Sequence, residues 1–350
     1  MKHLSAIVFS LFFLYSASTT AQDKNFTQFY AAPLTLNPAL TGAFDGQYRL
    51  STIYRDQWRG VLDAPFKTFA TALDFRFPFS LRGRPEKDAL GVGVLFYNDN
   101  VPFFDFSTTQ ISVSATYHKA LSSLNNQFLS LGFQAGIAQR RVNFENLNFD
   151  DQFNGETGYT EPTREELPIN NFAHPDFSVG LNYTYTPKSR MSFFAGGALH
   201  HFLQPEVTFY RDQPTESRNG SSQLYMKITG HLSAQLPLAN QLQLLPRVMY
   251  NQQGPLRELN AGSNLRFALN DHNGMALHLG TWARTVRNTS GFGLDSWILL
   301  TGLELDNFLI GMSYDANVNS LTNGRRQGTF EISIAYLGNY DNDLILCPKF

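Results

Sequence analysis

The chain has 350 residues, a mass of 39.4 kDa and a net charge of −2, so it can hold one large domain or two ordinary ones and carries no basic footprint for nucleic acid. Its single cysteine, Cys347, excludes an internal disulfide framework and a four-cysteine metal site. Only 16% of residues are charged while 14% are aromatic, a balance that suits a protein whose outer face meets lipid. A mean hydropathy of −0.24 is compatible with this, because only alternate residues of a transmembrane strand face the bilayer.

In chain order, the first feature is a targeting segment. Lys2 and His3 open it, Leu4 to Tyr15 is an apolar run, and Ser16 to Ala21 is small and polar. Thr19 and Ala21 stand at the small-residue positions of a cleavage site, which predicts a signal peptide over 1–21 and a mature chain from Gln22. The apolar run is too short for a spanning helix, which needs roughly 20 residues. No cysteine follows the cleavage point to carry a lipid anchor.

Residues 22–46 are expected to form a periplasmic N-terminal segment. Within them, FTQFYAAPLTLNPALTG (Phe26 to Gly42) has neither strand nor helix period. Pro33 and Pro38 stiffen it, while Phe26, Phe29, Tyr30, Leu34 and Leu36 need an apolar environment. Two readings fit: the segment packs in the periplasmic mouth at the barrel's base, or it docks a partner there through Phe26, Phe29, Tyr30, Pro33, Leu36, Asn37 and Pro38.

From about 47 to 337 the chain shows period-two alternation, the mark of strands with one apolar face. Leu224, Met226, Ile228, Leu232, Ala234 and Leu236 alternate with polar residues; Leu259, Ala261, Leu265, Phe267 and Leu269 do likewise. The pattern predicts about 14 strands, near 47–58, 66–77, 90–98, 106–120, 127–138, 176–186, 191–202, 222–236, 241–251, 256–269, 275–286, 292–304, 308–314 and 328–337. Many match the roughly 9–11 residues that cross a bilayer at a tilt. Short connections (Leu121–Asn126, Pro187–Arg190, Pro237–Asn240, Asn270–Gly274, Leu305–Asn307) fall on one side and long polar ones (Gln139–Pro175, Leu203–Ser221, Asp315–Gln327) on the other, as periplasmic turns and outer loops do. Two connections on the outer side, near Gln252–Pro255 and Arg287–Gly291, are short as well. Pro246 within a regular strand suggests a bulge. The fold expected is therefore all-β, an antiparallel transmembrane outer-membrane β-barrel, with a tail over 338–350. A soluble β-sandwich also alternates, but with shorter strands and more surface Lys and Glu.

Candidate chemistry is sparse. His200 and His201 are adjacent, so on a strand they point to opposite faces and cannot share a metal. His118, His231 and His278 read as lumen-facing histidines bonded to their neighbours. No nucleophile elbow, phosphate loop or calcium-loop spacing occurs, so no catalytic, metal or cofactor site is expected. Gln134, Lys227, Gln235, Gln243, Arg247, Asn260, Asn264 and Arg266 predict a polar lumen, compatible with water or with a plug of chain.

The N-terminal FTQFYAAPLTLNPALTG with YRDQWRG (Tyr54–Gly60) resembles the opening of the PorP/SprF family of type IX secretion membrane proteins. LGVGVLFYND (Leu90–Asp99), LGFQAG (Leu131–Gly136), PDFSVGLNYTYTP (Pro175–Pro187), GMSYDANVNSL (Gly311–Leu321), GTFEISIAY (Gly328–Tyr336) and the terminal CPKF (Cys347–Phe350) fit the same family in order. The resemblance implies a non-enzymatic outer-membrane barrel in a gliding or secreting member of the Bacteroidota. It also implies work with a periplasmic lipoprotein or peptidoglycan-binding part of the machinery, and export or surface anchoring of a cargo such as a gliding adhesin. The alternative is a channel for small or hydrophobic solutes.

Overall fold

The computed structural model describes residues 23–338 except 24, 45, 61, 63, 81–86, 103–104, 145–146, 189–190, 211–221, 271–273, 289–290 and 319–327. The signal-peptide reading over 1–21 and the tail from 339 onward, Cys347 included, lie outside the described residues.

Fourteen antiparallel strands close into one barrel: β1 (Tyr48–Gln57), β2 (Phe66–Ser80), β3 (Lys87–Val101), β4 (Phe106–Ala120), β5 (Gln127–Arg141), β6 (Asn171–Lys188), β7 (Met191–His200), β8 (Lys227–Ala239), β9 (Leu242–Gln253), β10 (Leu256–Asn270), β11 (Met275–Asn288), β12 (Gly291–Leu305), β13 (Phe308–Asn317) and β14 (Gly328–Gly338). Each pairs with its neighbour in sequence. The seam joins β1 to β14 from Tyr48↔Gly338 to Gln57↔Thr329, so no edge strand remains.

The expected strands are all present, and two begin five residues from where the pattern suggested, the others within three. β6 starts at Asn171 rather than 176, because Pro175 lies inside the strand opposite Ile137. β7 pairs with β6 only from Ser178 onward, so Pro175 stands on a locally open edge that tolerates a missing N–H. β8 starts at Lys227 rather than 222, because Ser222 and Leu224 bond instead to Val207 and Pro205. The bulge expected at Pro246 lies elsewhere. Register is the same on either side of it (Ser233↔Arg247, Leu236↔Leu244), with two pairs omitted, and the shift occurs between Pro237 and Ala239.

Alternation sorts the side chains by solvent. Leu73, Val94, Ile111, Val113, Leu131, Leu181, Leu232, Leu279 and Leu299 are exposed on the outer wall, where a bilayer would cover them. Aromatic rings gather where the strands meet the interface. Near the rim where β1 begins, Tyr336 packs on Tyr48 and Phe308, and Tyr48 on Phe75. Towards the other rim stand exposed Trp297, Tyr314 and Phe330. The first rim carries only short turns, including 121–126, 240–241 and 306–307; the second carries the long connections 142–170, 201–226 and 318–327 together with short ones such as 102–105 and 254–255. No helix among the described residues is long and apolar enough to cross a membrane.

Candidate functional site

A barrel of this strand number encloses more space than its own inward side chains fill, and here the chain fills it with its N-terminal segment. Residues 25–44 run through the lumen. Two 3₁₀ turns, Phe29–Ala31 and Pro38–Leu40, flank a single helical turn, α1 (Pro33–Leu36). Pro33 and Pro38 each open a turn, where a missing N–H is no loss. Phe26, Phe29, Leu34, Leu36, Ala39, Leu40 and Phe44 are buried, and together with inward wall residues they form two apolar clusters.

The expectation put this segment in the periplasmic mouth, and the structure corrects that placement. Asp23 and Asn25 sit at the long-loop rim, bonded to Gln253, His201, Lys227 and Glu258 near the upper ends of their strands. Gly42 sits at the opposite rim, its N–H donating to Asp74. The segment therefore descends the whole lumen before β1 begins. The physical reason is the demand for apolar burial noted in the sequence, which only the barrel interior can meet over this length. Of the seven residues named as a docking surface, Phe26, Phe29, Pro33, Leu36, Asn37 and Pro38 are buried inside the barrel and Tyr30 is half-buried.

Three levels of contact hold the plug. Near the long-loop rim, His201 stands between two carboxylates, Nε2 on Asp23 and Nδ1 on Asp176, each at 2.6 Å. Burial pulls the His201 pKa down, but the charge of Asp23 and the hydrogen bonds to both carboxylates outweigh it and push it up to about 10. Asp23, which burial alone would raise, is held well below the usual carboxylate range chiefly by His201, with Lys227 adding to it. His200 and His201 were expected on opposite faces, and the structure overturns this: both turn inward. β7 ends at His200, and His201 takes a left-handed backbone (φ 53°) that breaks the alternation.

At the second level, fully buried Glu331 accepts from the Thr27 and Gln28 N–H groups at 2.8 and 2.9 Å and from Arg55 at 2.9 Å. The Thr27 hydroxyl donates to Asp315 and accepts from Arg284, which itself pairs with Asp315. Gln28 donates to Ser313 and accepts from Ser333. Below them, Phe29 meets Trp282 edge-on, Tyr30 stacks on the same indole, and Arg247 lies 4.0 Å above the Tyr30 ring.

At the third level the wall captures plug carbonyls. His200 takes Leu36 O, Thr116 takes Pro38 O, Arg49 takes Leu40 O and His118 takes Thr41 O. Asn37 caps the second 3₁₀ turn through Ala39 N–H, donates to Leu181 O and Gly197 O, and meets His231. Inward glycines make room for this. A Cβ on Gly180 would run into Asn37 Oδ1, and one on Gly132 into the backbone of Pro38 and Ala39.

The expected polar lumen is present: Gln134, Lys227, Arg247, Asn260 and Asn264 are buried and inward. The ionic grip was missed by reading the sequence, although charges at the inward phase of strands (Arg55, Arg284, Asp315, Glu331) were a visible signal. These features define an outer-membrane β-barrel whose lumen is occupied by its own N-terminal segment.

Comparison with known proteins adds the family. Residues 18–336 match the model of the type IX secretion system membrane protein PorP/SprF family, and the chain belongs to it. No curated protein matches the chain. Among solved structures, the chain is similar to a deltaS2 mutant of the TodX monoaromatic hydrocarbon channel (12% identity, 89% of this chain and 94% of that one, TM-score 0.47). The toluene transporter TbuX of Ralstonia pickettii gives 12% identity over 93% and 97%, also at 0.47. BamA of Haemophilus ducreyi lacking POTRA domains 1–3 gives 11% over 82% and 70%, at 0.41.

Proposed function

We propose that the protein is a non-enzymatic outer-membrane component of type IX secretion that supports export or surface anchoring of a cargo protein such as a gliding adhesin. The observation that carries this reading is the family match over residues 18–336. The filled lumen supports it against the alternative, a channel for small or hydrophobic solutes, because such a channel needs the plug to move aside. In this reading the long loops at one rim meet cargo, and the short-turn rim meets a periplasmic lipoprotein or peptidoglycan-binding part of the machinery.

The test is affinity isolation of the tagged protein from native outer membrane in mild detergent, with mass spectrometry of its companions. Recovery of secretion lipoproteins or one large multi-domain adhesin is the expected result. Reproducible recovery of the barrel alone, together with conductance in planar bilayers, would replace this reading with the solute channel.

A further inference from the structure

Above the first turn of the plug, near the long-loop rim, the lumen keeps a cavity of about 90 Å³. By the measure in which one water takes roughly 10–15 Å³, that is room for about six waters or one residue-sized group. Its floor is apolar, built from Phe29, Leu34 and Leu36 of the plug with Leu224 and Met249 of the wall.

The rest of its lining is polar and only partly satisfied. Gln134, His174, Thr229 and Asn251, each at most 5% exposed, carry a buried polar atom with no protein partner among the described residues. Native interiors leave only a few such atoms per hundred residues, and here four line one small space. The Arg140 side chain at the same wall makes no hydrogen bond or ion pair with a described residue, and its Nε is buried without a partner among them. Every other charged group of the lining is engaged. Lys227 donates to Asn25, and His201 bridges Asp23 and Asp176. With His201 as the imidazolium, three cations (Arg140, His201 and Lys227) face two carboxylates, so the lining carries one net positive charge, and neither Arg140 nor Lys227 is ion-paired with a described residue.

From the Arg140 guanidinium beside an apolar floor in a residue-sized space, the geometry points to a binding site for a small monocarboxylate with a short apolar body. The carboxylate takes the two-pronged donor set of Arg140, and the apolar body lies on Leu34, Leu36 and Met249. The inference does not depend on the secretion reading, since it rests on the cavity alone.

The experiment is calorimetric titration of the purified full-length barrel in detergent with 3-methylbutanoate, against the uncharged 3-methylbutanamide of the same shape. The acid should bind at least tenfold more tightly than the amide. Arg140→Met, which keeps the stem and removes the charge, should lose at least tenfold towards the acid while leaving the heat-shifted gel mobility of the folded barrel unchanged, because the Arg140 side chain bonds to no other described residue. Equal binding of acid and amide, unchanged acid binding in Arg140→Met, or no heat of binding at millimolar acid would each overturn the site.

Discussion

Two glycines offer the sharpest test of the occupied lumen. Gly132 on β5 and Gly180 on β6 lie at inward positions. In an empty barrel, Gly→Val at either would favour the strand, since β-branched residues gain up to about 1 kcal/mol there. With the plug in place the sign reverses. A Cβ on Gly132 meets the Pro38 and Ala39 backbone, which has no rotamer to give, so the turn must shift. Overpacking of this kind costs about 1–3 kcal/mol. A shift of the turn also breaks the Asn37 bonds to Leu181 O, Gly197 O and its own Ala39 N–H, each worth about 1 kcal/mol. Together the penalty is about 4–6 kcal/mol. It falls on the plug and not on the wall. The assay pairs the midpoint of the heat-induced mobility shift, which reports the barrel, with planar-bilayer conductance, which reports the lumen. Gly132→Val and Gly180→Val should stay barrels, melt earlier and conduct. A variant that melts no lower than wild type and stays equally closed would refute the argument.

Three other perturbations probe the remaining contacts. His201 has a folded pKa raised to about 10 from 6.5, so its stabilisation of the Asp23 end is complete below pH 6.5 and fades as pH rises through about 10. A protease-cleavable tag placed ahead of Asp23 should become more readily cut across that window, and His201→Gln should flatten the dependence. Glu331→Ala strands the Arg55 charge and two plug N–H groups, at a cost of about 3–5 kcal/mol, read as a lower denaturant midpoint. Trp282→Ala should cost about 3–5 kcal/mol. Most of that loss should vanish in a chain lacking residues 26–42, because the indole packs on Phe29 and Tyr30.

What could be read in the sequence followed from local rules. Strand positions obey a period of two whatever surrounds them, so β4 falls at 106–120 as the pattern predicts. The plug obeys no period. Its burial was legible in its aromatics, but its path was not, because an irregular segment is placed by the surface that receives it. The receiving surface did leave a trace: Gly91, Gly93, Gly132 and Gly180 all fall at inward positions, where a barrel that packs only against itself prefers bulk. The inward turn of His201 left none, since it depends on one left-handed residue.

The segments that resemble the family and fall among the described residues form one physical unit. FTQFYAAPLTLNPALTG is the plug, and the others supply its receptors: Arg55 from YRDQWRG, Gly91 and Gly93 from LGVGVLFYND, Gly132 from LGFQAG, Gly180 from PDFSVG, Asp315 from GMSYDA and Glu331 from GTFEIS. Residues far apart in the chain are thus tied by one requirement, that the N-terminal segment fit the lumen at every level. A passage for solute would need only a lining. A grip built from buried ion pairs, captured carbonyls and stacked rings instead makes the closed lumen the low-energy state, since releasing the plug strands every one of those partners at once.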